Sequence, residues 1–211
     1  MPPGPVPSGP AKMTQAQRLD AARRARVQKS RNTRFAIVGG VVVLVGLIIF
    51  NTLSNRADTN ALRARLTAGG CEFDTRSDDI DPPPNNHVAP AGYDVDPPAG
   101  GNHAPGASPA GTFTDANKPA DAGIVHSLEH GYIAIWHRPD LPEADMTAIT
   151  DAIKGSERDV LIVPRASITG KVAATAWGER LLCGEVETAP LKEFVETYAN
   201  KGPERIEHPA L

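Results

Sequence analysis

From Phe35 to Phe50 the chain reads FAIVGGVVVLVGLIIF with no polar residue, and it stays uncharged through Asn55. At about 1.5 Å of rise per residue this stretch spans roughly 31 Å as a helix, close to the hydrocarbon thickness of a bilayer. It is apolar on every face, so lipid suits it better than one side of a protein core. The pattern therefore predicts a transmembrane helix over 35–55. Its late start, its length and the lack of a following A-x-A-like site argue against a cleaved signal peptide.

Beyond Arg56 the periodicities are those of a folded domain. Leu62 and Leu66 stand four apart before Gly69-Gly70, which predicts a short helical stalk over 56–68 that continues the membrane helix. Tyr132 to His137 reads as a strand, Pro142 to Lys154 as a helix, and Val160 to Val163 as a buried strand. Lys171 to Trp177 and Arg180 to Cys183 are two strands broken at Gly178, and Ala189 to Asn200 is an amphipathic helix stopped by Gly202-Pro203. The order β-α-β-β-β-α predicts an α+β domain over 69–205, a small mixed β-sheet with two packed helices, followed by a tail at 206–211.

Between Cys71 and this regular region lies a segment of another kind. Residues 81–120 hold nine Pro and five Gly, a density of missing donors and fixed φ angles that neither a helix nor a central strand tolerates. So long an irregular stretch is a linker or a functional loop, and the embedded His87, Tyr93 and His103 favour the loop.

Charge gives the chain a direction. Residues 1–34 carry eight Lys or Arg against one Asp, a net +7, which leaves −10 to the remainder of a chain whose total is −3. The arginines crowd before the apolar run, so the positive-inside rule places the N-terminus in the cytoplasm and the domain outside the cytoplasm, at the cell membrane. The Pro- and Gly-rich start reads as disordered and the basic run after Thr14 as a helix that docks on anionic lipid, with no need of nucleic acid. In an oxidising compartment Cys71 and Cys183 are expected to pair; two buried free thiols are the alternative.

Five of the six histidines fall between 87 and 137: His87, His103, His126, His130 and His137. Imidazole is the commonest ligand of transition metals, and histidines scattered over a surface have no reason to bunch. His126 and His130, in HSLEH, share one face whether the segment is helical or extended. His103 follows a turn-forming Pro/Gly run that brings the backbone close and makes it a third candidate, with His87 or His137 in support. Glu129 is a ligand, a partner orienting an imidazole, or a surface acid. The donors point to copper or zinc: only Met146 lies beyond the apolar run, and the cysteines lack any C-x-x-C spacing. HSLEH also fits the H-x-x-E-H pattern of zinc peptidases, but that motif needs a helix of several turns, and Gly123 and Gly131 bracket only seven residues. Trp136 and Trp177 are most simply core aromatics. No phosphate loop, nucleophile elbow or RNA-reading motif is present.

Several separated segments, in order, carry a resemblance: GCEFD at 70–74, His87-Val88, YDVDPPAGGNH at 93–103, VHSLEHGYIAIW at 125–136 and TAWG at 175–178. Together they resemble the actinobacterial membrane-anchored family of the domain of unknown function 3105, over about residues 66–204. The resemblance implies the topology and the extent of the domain, and it assigns no catalytic residue. Three readings of function follow: an envelope metal-binding protein, a metal-free assembly module presenting its Pro-rich loop to an envelope protein, and a metal-dependent hydrolase.

Overall fold

The computed structural model describes residues 58–75, 87–88, 90 and 92–204, together with scattered helical residues between 15 and 54. The chain divides into two compact units, Met1–Asp58 and Thr59–Leu211. The predicted membrane span, the basic tail and the C-terminal tail lie largely outside the described residues. Within the span, residues 44–47, 50 and 54 are helical, and the side chains of Leu44, Leu47 and Phe50 are 58%, 61% and 70% exposed. Among the described residues no helix is long and apolar enough to cross a membrane.

The second unit is a mixed α+β fold built on one six-stranded sheet. Its elements run α1 (58–67), β1 (Cys71–Thr75), β2 (Gly111–Thr112), α2 (Asp121–Glu129), β3 (Ile133–His137) and α3 (Glu143–Ala152). A 3-10 turn at Glu157–Asp159 then precedes β4 (Val160–Pro164), β5 (Val172–Ala176), β6 (Glu179–Cys183) and α4 (Thr188–Tyr198). The strand order is β1-β6-β5-β3-β4-β2. β3 pairs in parallel with β4, which pairs in parallel with β2, while the β5, β6 and β1 pairings are antiparallel. The β5–β6 hairpin turns at Gly178, whose φ of 81° is open to glycine at little cost.

Every residue of β3, β4 and β5 is buried, because helices cover the sheet on both faces. Alternation along β3 shows the division. Ile133 and Ile135 join Leu66, Ile149, Leu191 and Phe194 of α1, α3 and α4, whereas Ala134 and Trp136 pack with Ile124 and Leu128 of α2. Two packed helices and a helical stalk were expected, and among the described residues of this unit α2 is present besides them. α1 does more than continue a stalk, since Leu66 is fully buried, the Arg63 guanidinium donates to the Phe73 carbonyl, and Arg65 pairs with Glu193.

α2 is the main correction to the sequence reading. The bracket of Gly123 and Gly131 argued against a helix of several turns at HSLEH and left helical or extended open; nine residues, Asp121 to Glu129, are helical. Ser108 Oγ fills the space beside Gly123, 2.7 Å from where a Cβ would stand, so the glycine admits the loop. The helix closes in a Schellman motif: Gly131 at φ 89° donates to the Leu128 carbonyl, and Tyr132 donates to that of Ser127.

At the opposite edge Cys71 and Cys183 face each other across the β1–β6 ladder and are joined by a disulfide. The expected pairing is present.

Candidate metal centre

On a helix the spacings of His126, Glu129 and His130 place all three side chains on one face, and on α2 that face looks toward the Pro/Gly-rich loop. The loop supplies His103, held by the run Pro97 to Asn102, and His87 from farther up the chain. One donor atom each from His87, His103, His126 and Glu129 fits within a sphere where all lie within 4.8 Å of one another. The ring centroids of His87, His103 and His126 form a near-equilateral triangle with sides of 4.9, 5.0 and 4.9 Å. His103 and Glu129 are fully buried, His126 is buried, and the His87 side chain is 41% exposed.

Hydrogen bonds fix which nitrogen of each ring faces the cluster. A carbonyl oxygen can only accept, so a ring nitrogen beside one must carry the proton. His103 Nδ1 donates to the Gly101 carbonyl at 2.8 Å, His126 Nδ1 to that of Ala104 at 2.7 Å, and His130 Nδ1 to that of Glu204 at 2.6 Å. In the neutral rings all three Nε2 atoms are left as lone pairs, the tautomer and orientation that metal-binding histidines adopt. Burial among other imidazoles pushes His126 below the usual histidine range, chiefly through desolvation and despite its bond to Ala104, which favours the neutral ligand form.

The polar balance of the cluster does not close by itself. Neither oxygen of the buried Glu129 carboxylate receives a hydrogen bond, and neither does His103 Nε2, which lies 3.0 Å from Glu129 Oε2. His126 Nε2 and His130 Nε2 approach to 2.8 Å although both Nδ1 protons are committed elsewhere. Converging lone pairs and a buried carboxylate without a hydrogen bond are costly without a cation, and the donor set is one that a divalent transition metal accepts.

Three further contacts hold the walls. The Ser127 hydroxyl accepts from Ser108 N–H at 2.8 Å and lies 2.7 Å from the Ser108 carbonyl, clamping the loop to α2. Arg165 holds Asp121 through Nη1 at 2.8 Å, contacts Asp96 through Nε, and lies 4.9 Å over the Trp136 ring, tying the loop to the start of α2. After α4 the chain returns along α2: Glu204 N–H donates to the Glu129 carbonyl, Asn200 N–H to that of Gly131, and Gly202 leaves no room for a Cβ against Glu129 and Gly131. Trp177 stands edge-on to His103 at 5.8 Å.

Of the predicted donors, His87, His103, His126 and Glu129 converge, and His130 adjoins His126. His137 does not belong to the cluster. Strand alternation gives it the parity of Ile133 and Ile135, toward α3, and its Nδ1 lies 2.9 Å from the Arg138 carbonyl. The roles of Ser127, Arg165 and the 200–204 segment were not read from the sequence. Only Gly202-Pro203 gave a signal there, and it read as a helix stop.

Residues 86–210 match the family described as Protein of unknown function (DUF3105). The chain belongs to this family. The match spans both His87 and the 200–204 segment, so the DUF3105 region contains every residue of the cluster and the strap behind it. No curated protein and no solved structure matches the chain.

Proposed function

We propose that this DUF3105 protein is a single-pass, membrane-anchored protein whose extracytoplasmic domain binds one divalent transition metal, copper or zinc, through His87, His103, His126 and Glu129. The observation that carries the reading is the buried Glu129 carboxylate, without a hydrogen bond, facing the Nε2 atoms of histidines whose opposite nitrogens are pinned by carbonyls. A bound cation satisfies all of these groups at once. Imidazole and carboxylate donors suit cupric copper and zinc; the two cysteines are spent in the disulfide, which removes the thiolates that cuprous copper favours. The uncharged run over 35–55 and the basic residues before it support the anchor and its orientation.

Calorimetric titration of the full chain in detergent with zinc and with copper tests the binding. Single substitutions His103→Ala and His126→Ala should each abolish tight binding while His137→Ala leaves it intact; equal losses in all three would remove the specific donor set. Protease added to intact cells should release the domain, and a protected domain would reverse the proposed orientation.

A further inference from the structure

Five donors stand in this region, but they do not form one set. His130 lies outside the group of four, yet its Nε2 is 2.8 Å from His126 Nε2, and its ring is half-buried, where His103 and Glu129 are sealed and His87 is exposed. His126 thus borders two donor groups: His87, His103 and Glu129 on one side, with His87 itself exposed, and His130 on the other.

An imidazole nitrogen has a single lone pair, so His126 Nε2 serves one ion at a time. The two groups cannot both hold an ion through His126. We propose that His126 and His130 form an outer ion position at the solvent side, through which a divalent transition metal enters and leaves the buried set by ligand exchange at His126. This inference rests on the metal-centre reading and deepens it: the site is built to load and unload.

The surroundings fit a relay. His130 is fixed by the bond from its Nδ1 to the Glu204 carbonyl, so its lone pair is already aimed at His126 before an ion arrives. The 200–204 segment makes that bond possible, because Gly202 passes against Glu129 and Gly131 where a side chain would not fit. Because the outer position offers two imidazoles and the inner one three imidazoles and a carboxylate, an ion rests inside at equilibrium. Substituting His130 therefore changes rates more than affinity.

Two variants with opposite chemistry at residue 130 separate this from a structural role. His130→Asn keeps a donor where Nδ1 stood, for the Glu204 carbonyl, but offers no imidazole lone pair. His130→Glu loses that donor and keeps a metal-binding atom near the position of Nε2. Zinc alone is the probe: stopped-flow loading of the full chain in detergent, release to a chromophoric chelator, and equilibrium stoichiometry.

The relay predicts about one zinc per chain in wild type and both variants. It predicts loading and release at least about tenfold slower in His130→Asn with affinity nearly unchanged, and rates within about threefold of wild type in His130→Glu. Wild-type rates in His130→Asn, or equal slowing in both variants, would overturn it. A loss of equilibrium binding in His130→Asn would also overturn it, by making His130 a ligand of the resting site. No zinc on the wild-type chain would instead defeat the metal-centre reading on which the relay stands.

Discussion

Replacing Glu129 with Gln should have opposite effects on the metal-free and the metal-loaded protein. In the metal-free chain the carboxylate is buried, its two oxygens accept no hydrogen bond, and Oε2 lies 3.0 Å from His103 Nε2 and 3.8 Å from His87 Nε2. A Gln amide keeps the shape, removes the charge, and can donate an N–H to the His103 lone pair. One such bond is worth about 1 kcal/mol, and for a domain of this size that raises the midpoint of thermal unfolding by about 2–4 °C. The loaded state moves the other way. An ion at about 100 times its Kd stabilises the wild type by about 2.7 kcal/mol, or about 5–10 °C, and the variant loses most of that. The assay is thermal unfolding followed by near-ultraviolet circular dichroism of Trp136 and Trp177, with chelator and with zinc. Wild type should gain on loading, while E129Q should start higher and gain little. A metal-free E129Q that unfolds well below the metal-free wild type would refute the argument, because Glu129 would then stabilise the fold without a cation.

Other consequences are open to simpler assays. Replacing both Cys71 and Cys183 with Ala removes a cross-link between residues 112 apart; chain entropy makes this cost about 4–5 kcal/mol, read as a drop in unfolding midpoint that reductant reproduces in wild type. A midpoint indifferent to reductant would count against it. Gly202→Ala forces a methyl into the backbone of Glu129 and Gly131 and should cost about 1–3 kcal/mol together with slower metal loading; an unchanged midpoint would show that the 200–204 strap can shift freely. Burial and the charge of Asp121 push Tyr93 up to about 12, and burial also raises Tyr132 and Tyr198. In the unfolded chain tyrosine releases its proton near pH 10, so the folded state holds more protons above that pH, and stability falls as pH rises from about 10 to 12. Absorbance at 295 nm should stay flat through pH 10 in the native protein, and a third of the amplitude titrating near 10 would contradict the burial of one ring.

Elements with a strong period were legible in the sequence. β3, α3, β4, the β5–β6 hairpin and α4 lie within one to two residues of their predicted bounds, because continuous apolar runs and amphipathic spacing report burial directly. β2, only two residues long, leaves no period to read. β1 alternates, with Cys71 and Phe73 inward, but five residues ending in a polar stretch did not stand out. α2 was missed for a physical reason: Gly123 lowers helix propensity, and the loop that packs against it, with Ser108 Oγ where a Cβ would stand, is a tertiary contact that no local pattern carries. Sheet order depends on contacts between distant residues, and no local pattern carries it.

The candidate site divides in the same way. Histidine density singled out His87, His103, His126 and His130 because residue identity is the signal. His137 was included on density and excluded by strand parity, which becomes decisive once Trp136 and Ile135 have chosen their faces. The groups that orient the rings are the carbonyls of Gly101, Ala104 and Glu204. Backbone oxygens have no letter of their own, so sequence is silent about them.

The central claim is that the buried cluster holds an ion, and elemental analysis tests it most directly. The full chain, purified in detergent without a histidine tag and dialysed against micromolar zinc or copper, should retain about one ion per chain, and the His103→Ala/His126→Ala double variant should retain none. A wild-type chain that comes through the same dialysis without metal, folded and with its disulfide intact, would contradict the account.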